Sequence, residues 1–188
     1  MPIFDNVMRN IFRFFLLFLS LFCLSSCSAM MDIEAEEDYE KTTLVRVGDM
    51  APDFTVELLS GEQITLSKLQ GNTILLVLFD STCADCKIQL SLLNSVMDQF
   101  AEKNFQLLAI SRGESKQTLE KLVADNGYRF DIGLDIDKSI YSLYATKFVP
   151  RCFIIDPLGH IIAISVGYST EDFAVLLDVV VNNLQNQP

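Results

Sequence analysis

The fold is limited above all by a continuous apolar run, TILLVLF, at residues 73–79. A strand with one solvent-facing side would alternate polar and apolar residues. After Thr73 this run is continuously apolar, and it contains β-branched residues, which predicts a strand buried on both faces. From Ile88 to Phe100, apolar residues then recur at helical spacing, so a helix follows the strand. A strand that needs cover on both faces predicts a sheet with helices on either side.

The remaining pattern predicts one α/β domain at residues 47–184, followed by a C-terminal tail at 185–188. Strands alternate with helices, and a final strand pair precedes a last helix, which is typical of a central mixed β-sheet flanked by helices. The other predicted elements are, in chain order, a hairpin at 53–66, a buried strand at 105–111, a helix that ends at Asn126–Gly127, a short helix at Ser139–Thr146, two strands joined around 157–159, and a last helix with Phe173 to Leu184 on its apolar face.

The first 26 residues predict a secretory signal peptide. Two arginines, Arg9 and Arg13, precede an apolar run of eleven residues from Phe14 to Leu24. A stable membrane-spanning helix needs about 20 apolar residues, so this run is too short to be one.

The end of this segment, Leu24-Ser25-Ser26-Cys27, resembles the lipobox of bacterial lipoproteins. The resemblance implies cleavage before Cys27 and attachment of lipid to that cysteine. The protein would then be anchored to a membrane of the bacterial cell envelope and would face the periplasm or the cell surface. An ordinary signal peptide with an incidental Cys27 is the alternative.

Residues 27–46 are predicted to form an acidic tether. Its charge run DIEAEEDYEK, at residues 32–41, is of the kind that stays solvated. The chain has 14 basic and 25 acidic residues, and cleavage after residue 26 would leave 12 and 24, a formal charge of -12. Nucleic acid is therefore excluded as a partner, because phosphates attract lysine and arginine.

Cys83 and Cys86 lie three positions apart, where the apolar strand gives way to the helix. Positions i and i+3 are neighbours on a helix surface, so the two sulfurs can form a disulfide. Unpaired N–H groups and the positive dipole end at a helix start stabilise a thiolate, which predicts a lowered pKa for Cys83. We therefore predict that Cys83 is the catalytic nucleophile and Cys86 the resolving thiol.

Two other uses of this pair are open from the residues alone. A zinc site needs about four ligands, but His160 and Cys152 are the only further histidine and cysteine after Cys27. Two inert buried cysteines are the second alternative, against which the strand-to-helix location argues. Redox chemistry without a metal or a cofactor is favoured.

Three segments resemble the TlpA/ResA branch of the thioredoxin-like family: VGDMAPDFTVELLSGEQITLSKLQGN from Val47, CADC from Cys83, and FVPRCFIIDPLGHI from Phe148. The resemblance covers residues 47–184. It implies a thioredoxin-like fold with an N-terminal β-hairpin and a central insertion around GESKQTLEKLVADNGYRFDIGLD. It also implies a cis peptide bond at Val149–Pro150 that faces the cysteine pair, with the Val149 backbone binding an extended substrate segment.

The sequence departs from this family at three positions near the pair. Thr82 stands where relatives have Trp, Val77 where thioredoxins have a buried acid, and Gln89 where many relatives have Glu. Gln89 cannot titrate, so a water, Asp80 or Asp85 would have to accept the proton of Cys86. A carboxylate at Asp85 would oppose a thiolate at Cys83, which predicts a reductant rather than a strong oxidant. An ordinary residue of the first helical turn is the alternative role for Asp85. Asp80, Asp85 and Gln89 are thus the candidate redox-tuning residues.

Cys152 follows Pro150 by two residues and shares its face of a strand. It is predicted to be a small buried hydrophobe, and an alternative disulfide with Cys83 or Cys86 is the other possibility. His160, beside a turn, is predicted to be exposed rather than catalytic.

The resulting prediction is a membrane-anchored extracytoplasmic thiol–disulfide oxidoreductase, of the protein-disulfide reductase type. Its partners would be protein disulfide substrates and a membrane-embedded thiol reductant that restores the dithiol. A peroxiredoxin-like peroxidase is one alternative, although Asp80 and Leu76 replace its signature Thr and Pro. A non-enzymatic surface or binding lipoprotein with a degenerate thioredoxin fold is the other.

Overall fold

A computed structural model describes residues 38–101 and 103–186. The chain divides into two compact units, Met1–Lys41 and Thr42–Pro188. In the first unit, the described residues 38–41 form one helical turn. The predicted signal peptide, Cys27 and the tether up to residue 37 lie outside the described residues. The second unit starts at Thr42, whereas the sequence pattern places the start of the domain at residue 47.

Within the described residues, the second unit is built on a seven-stranded mixed sheet of order β2-β1-β5-β4-β3-β6-β7. Strands β3, β4 and β5 run parallel, and the other neighbouring pairs are antiparallel. The strands are β1 (Thr55–Leu58), β2 (Gln63–Thr65), β3 (Thr73–Phe79), β4 (Phe105–Arg112), β5 (Asp131–Asp135), β6 (Arg151–Ile155) and β7 (Ile161–Val166). The helices are α1 (Ala84–Val96), α2 (Lys116–Asn126), α3 (Tyr141–Tyr144) and α4 (Thr170–Gln185), with 3-10 helices at Leu66–Leu69 and Met97–Phe100.

Strand β3 lies at the centre of the sheet, between β4 and β6, and is buried along its whole length. Its residues alternate between two hydrophobic clusters, with Ile74, Leu76 and Leu78 in one and Leu75, Val77 and Phe79 in the other. Successive side chains of a strand point to opposite faces, so the two clusters cover the two sides of the sheet. The predicted strand with two buried faces is confirmed.

Helix α2 has a capping residue at each end. Ser115 is the N-cap, and its Oγ accepts a hydrogen bond from the Thr118 amide at 3.2 Å. At the other end, Gly127 takes a φ of 64° and its N–H donates to the Val123 carbonyl. The predicted helix end at Asn126–Gly127 is confirmed.

The short helix predicted at Ser139–Thr146 extends only over Tyr141–Tyr144. At its start, the buried carboxylate of Asp135 accepts a hydrogen bond from the Tyr141 amide at 2.8 Å. At its end, Ala145 is already extended and pairs with Thr43 in an antiparallel bridge. A tertiary contact therefore shortens this helix.

The predicted N-terminal hairpin is present as β1 and β2, and β1 extends the sheet by pairing with β5. Helix α2 and β5 come from the predicted central insertion. The fold class, a mixed sheet flanked by helices, is confirmed. In the part of the chain that the structure describes, no helix has both the length and the apolar character needed to cross a membrane.

Candidate active site

The two predicted redox cysteines lie at the start of α1, directly after β3. Cys83 is the N-cap residue, and its Sγ accepts a hydrogen bond from the backbone N–H of Cys86 at 3.1 Å. The two sulfurs are joined in a disulfide, with 5.3 Å between the Cα atoms. Cys83 is half-buried and Cys86 is fully buried. Cys83 is therefore the sulfur nearer to solvent, as its position before the helix predicts.

The loop before β6 lies against this disulfide. Because β6 pairs antiparallel with β3, the start of β6 lies beside the end of β3, at the pair Leu78–Arg151. The Val149–Pro150 peptide bond is cis, as the resemblance implies. The carbonyl oxygen of Val149 lies 3.6 Å from Cys83 Sγ. The backbone of Val149 is thus next to the outer cysteine.

Two side chains that sequence reasoning missed hold this loop. The hydroxyl of Tyr141 donates to the Phe148 carbonyl at 2.9 Å. The Nε of Arg151, which is fully buried, donates to the Lys147 carbonyl at 2.9 Å. A signal for Arg151 was present, because it is the one charged residue in the apolar strand RCFII. A charge within a buried strand indicates specific hydrogen-bond partners.

Asp80 organises the segment that leads to the cysteines. Its Oδ1 accepts hydrogen bonds from the backbone N–H and the hydroxyl of Thr82, at 2.8 and 2.6 Å. Burial opposes ionisation of Asp80, but the bonds from Thr82 and the positive charges of Arg112 and Lys138 outweigh burial and lower its pKa. Asp80 is therefore a weak proton acceptor. Asp85 is exposed in the first turn of α1, and its effect on the cysteine pair remains a prediction.

Gln89 and Cys152 meet under α1. Both are almost completely buried, and Gln89 Nε2 donates to Cys152 Sγ at 3.1 Å. The Oε1 atom of Gln89 has no hydrogen-bond partner in the described structure. Burial raises the pKa of Cys152 to about 12, while the hydrogen bond from Gln89 acts in the opposite direction. Cys152 lies outside the disulfide, which agrees with its predicted role as a small buried side chain.

A carboxylate that sequence reasoning missed, Glu114, binds the segment in front of the cysteines. It accepts hydrogen bonds from the backbone N–H of Ser81, at 2.9 Å, and from the hydroxyls of Ser81 and Ser111. Glu114 follows β4 in the loop before α2. The carboxyl ends of the adjacent parallel strands β3 and β4 meet at one edge of the sheet, and this geometry could have pointed to the contact.

His160 lies at the β6–β7 turn, at the end of β6 away from the cis-proline. Its Nδ1 is 3.8 Å from Asp156 Oδ1, and its side chain is partly exposed. Among the described residues, no group of three or more His, Cys, Asp or Glu side chains is arranged to hold a metal ion. His160 lies at the opposite end of β6 from the cysteine pair.

The mixed sheet, with a cysteine pair at a helix start and a cis-proline beside it, defines a class: the thiol–disulfide oxidoreductases with a thioredoxin-like fold. Comparison with known proteins agrees with this class. Residues 47–164 match the model of the AhpC/TSA family, and the chain belongs to that family.

Individual relatives carry the same chemistry. Thiol-disulfide oxidoreductase ResA of Bacillus subtilis is 28% identical over 124 residues, which are 66% of this chain and 69% of ResA. A solved structure of a candidate protein disulfide isomerase from Bacteroides thetaiotaomicron has a TM-score of 0.73 and 30% identity, covering 77% of this chain and 94% of that one. The solved structure of a candidate thiol:disulfide interchange protein DsbE from Chlorobium tepidum has a TM-score of 0.70 and 26% identity. The match covers 74% of this chain and 99% of that one. The predicted fold and ResA-type resemblance are confirmed, and the chain is a thiol–disulfide oxidoreductase of this type.

Proposed function

We propose that this protein is a lipid-anchored, envelope-facing disulfide reductase that acts on envelope proteins through Cys83 and Cys86. The observation that carries the proposal is the setting of the outer sulfur. Cys83 Sγ accepts the Cys86 N–H at 3.1 Å and lies 3.6 Å from the Val149 carbonyl. A half-exposed sulfur with a backbone donor, next to a backbone segment with which an extended chain can pair, suits attack on a protein disulfide.

The reaction needs only the two cysteines and the substrate. In the dithiol form, the Cys83 thiolate attacks one sulfur of the substrate disulfide, and the other substrate sulfur leaves and takes up a proton. Cys86 then attacks the mixed disulfide at Cys83, and the second substrate sulfur leaves. The substrate gains two electrons and two protons, and the enzyme becomes the Cys83–Cys86 disulfide. A membrane-embedded thiol reductant returns the electrons and protons.

Three side chains are proposed to tune this pair: Asp80, Asp85 and Gln89. Gln89 holds the place where the resemblance expects an acid, and an amide cannot take the proton of Cys86. Asp80 is held ionised by Thr82, which makes it a poor base. A water or Asp85 is therefore the better acceptor.

Reduction of insulin by dithiothreitol tests the proposal. The wild type should accelerate the reaction, and Cys83→Ser should abolish the acceleration because the attacking sulfur is gone. Cys86→Ser should stop turnover and accumulate mixed disulfides with substrate proteins, because nothing resolves them. Cys152→Ala removes a cysteine while leaving the pair intact, and should keep the activity. Full activity of Cys83→Ser would contradict the proposal.

The direction of electron transfer has its own test. The negative charges of Asp80 and Asp85 disfavour a thiolate at Cys83 and thereby favour the oxidised pair. We therefore expect equilibration with glutathione to give a potential well below the value of about -120 mV known for the oxidant DsbA. A potential near that of DsbA would show that the protein is an oxidant.

A peroxidase is the second candidate, because a yeast mitochondrial 1-Cys peroxiredoxin shares the fold, with a TM-score of 0.60 at 19% identity. The positions of the peroxidatic Thr and Pro are held by Asp80 and Leu76, and Leu76 is fully buried in β3. Consumption of peroxide without reduction of insulin would favour the peroxidase. A non-enzymatic lipoprotein is disfavoured by the oxidoreductase relatives.

A further inference from the structure

Glu114 connects the segment in front of the cysteine pair to the end of the neighbouring strand. Its Oε2 accepts the Ser81 backbone N–H at 2.9 Å, and its carboxylate also accepts the hydroxyls of Ser81 and Ser111. Ser81 precedes Cys83 by two residues, and Ser111 is fully buried in β4. One carboxylate therefore joins the ends of β3 and β4 beside the disulfide.

The loop that carries Glu114 has a fixed shape. Gly113 takes a φ of 76°, which favours glycine, and its N–H donates to the Asp135 carbonyl at 2.6 Å. A Cβ atom at this position would lie 2.5 Å from Lys138 Cε. Because the backbone before Glu114 is fixed in this way, the carboxylate is directed to Ser81 rather than free to swing into solvent.

Glu114 completes a set of bonds that uses the backbone donors ahead of the outer sulfur. The Ser81 amide donates to Glu114, the Thr82 amide to the Asp80 side chain at 2.8 Å, and the Cys83 amide to the Asp80 carbonyl at 3.2 Å. These three N–H groups therefore donate to acceptors other than Cys83 Sγ, whereas the Cys86 N–H donates to Cys83 Sγ. Two carboxylates lie along the segment that ends at Cys83.

We propose that Glu114 is a positioning residue of the redox site. It fixes the Ser81 segment in front of Cys83, and it places there a negative charge that disfavours the Cys83 thiolate and so favours the disulfide form. This inference rests on the proposed redox role of Cys83, and it adds a group from the loop after β4 to those proposed to set the potential.

Charged groups on the surrounding segments also act on the site. In the described part of the chain, the hydrogen-bond partners of Glu114 are neutral groups of Ser81 and Ser111, which disperse its charge without cancelling it. The positive charges of Arg112 and Lys138 act on Asp80. The other charged groups on the segments around the site are Asp85, Lys87, Asp135, Lys147 and the buried Arg151, whose guanidinium donates to the Lys147 carbonyl and to the hydroxyls of Thr42 and Thr43.

Glu114→Gln tests the charge, because glutamine keeps the size of the side chain, its oxygen can still accept from the Ser81 N–H, and its NH2 can donate to the Ser81 hydroxyl oxygen. Glu120→Gln removes an equal charge from an exposed position of α2 and is the matched control. The pKa of Cys83 is read from the pH dependence of its alkylation in the reduced protein, and the redox equilibrium is measured against glutathione. Glu114→Gln should lower that pKa and shift the equilibrium about two- to tenfold toward the dithiol, where tenfold corresponds to about 30 mV. Glu120→Gln should change neither value, and an unchanged Glu114→Gln would overturn the inference.

Ser81→Ala distinguishes an effect of the Glu114 charge on the pKa of Cys83 from an effect of a loosened loop. It keeps the carboxylate but removes one hydroxyl that disperses the charge, so the pKa of Cys83 should rise. A fall, as in Glu114→Gln, would mean that loosening is the cause and would overturn the inference. If Glu114→Gln does not fold, Ser81→Ala decides alone: a rise supports the role of Glu114, and a fall or no change rejects it. Insulin reduction by the wild type, measured in parallel, decides the proposed function separately.

Discussion

At the scale of single residues, burial separates the chemistry of Cys152 from that of the cysteine pair. Cys152 is 1% exposed, and burial raises the pKa of its thiol to about 12. A thiol is nucleophilic only as the thiolate, so Cys152 stays protonated and inert at neutral pH. It shares a hydrophobic cluster with Cys86, and its protonation makes it a poor nucleophile there.

The same thiol should make the protein less stable in alkali. In the unfolded chain Cys152 ionises near pH 9.0, whereas in the folded protein it keeps its proton up to about pH 12. Between these values the unfolded state releases a proton that the folded state holds, so stability falls by about 1.4 kcal/mol per pH unit. From pH 8 to pH 10, urea unfolding should show the wild type losing about 1.4 kcal/mol more than Cys152→Ala.

The wild type and Cys152→Ala are compared by how their free energies of unfolding change with pH, because the alanine also leaves a cavity that lowers stability at every pH. Tyr144, whose pKa is raised by burial and by the charge of Asp53, is common to both proteins, so its contribution cancels. Equal pH dependence in the two proteins would mean that Cys152 is not held protonated by the fold.

The placement of single residues could be predicted where it follows from local spacing. Cys83 and Cys86 are one helical turn apart, and the strand-to-helix pattern alone places them at a helix start. The partners of Gln89 and Glu114 could not be found in this way. Gln89 contacts a residue 63 positions away and Glu114 one 33 positions away, and both contacts exist only because strands distant in sequence lie side by side in the sheet.

At the scale of elements, the spacing of apolar residues predicted the strands and helices that form the core. β3 was predictable because burial on both faces leaves Thr73 as the one polar residue in its sequence, and the end of α2 because a glycine stop acts within a single turn. The end of α3 was not predictable, because Ala145 leaves the helix to pair with Thr43. Pairing between segments distant in sequence sets the end of this helix, so the local sequence pattern does not predict it.

Elements also explain how the site is assembled. α1 starts at the carboxyl end of β3, and β6, running antiparallel, starts at the same edge of the sheet. Cys83, the cis-proline loop and the Glu114 loop after β4 therefore converge without any long excursion of the chain. These three segments are far apart in the sequence, and they lie together because β4, β3 and β6 are neighbours in the sheet.

At the scale of the whole molecule, the predicted start of the domain omitted residues that belong to the compact unit. Thr42 and Val45 are buried there, at 5% and 7% exposure, and Thr42 Oγ1 accepts a hydrogen bond from Arg151 at 2.8 Å. The acidic run just before them favoured a solvated tether that continues to residue 46. Burial of a few residues after such a run depends on tertiary partners, which composition does not reveal.

Cys27 should decide whether the whole molecule stays on a membrane. The mature chain would carry a formal charge of -12, which anionic lipid surfaces repel, so retention would depend on covalently attached lipid, worth about 0.8 kcal/mol per buried methylene. Cys27→Ala should therefore move the protein from the membrane fraction to the soluble fraction while insulin reduction is retained. Cys23→Ala, within the segment expected to be cleaved, is the matched control and should leave the protein on the membrane. Membrane association of Cys27→Ala equal to that of the wild type would remove the lipid anchor from the proposed function and leave the redox site untouched.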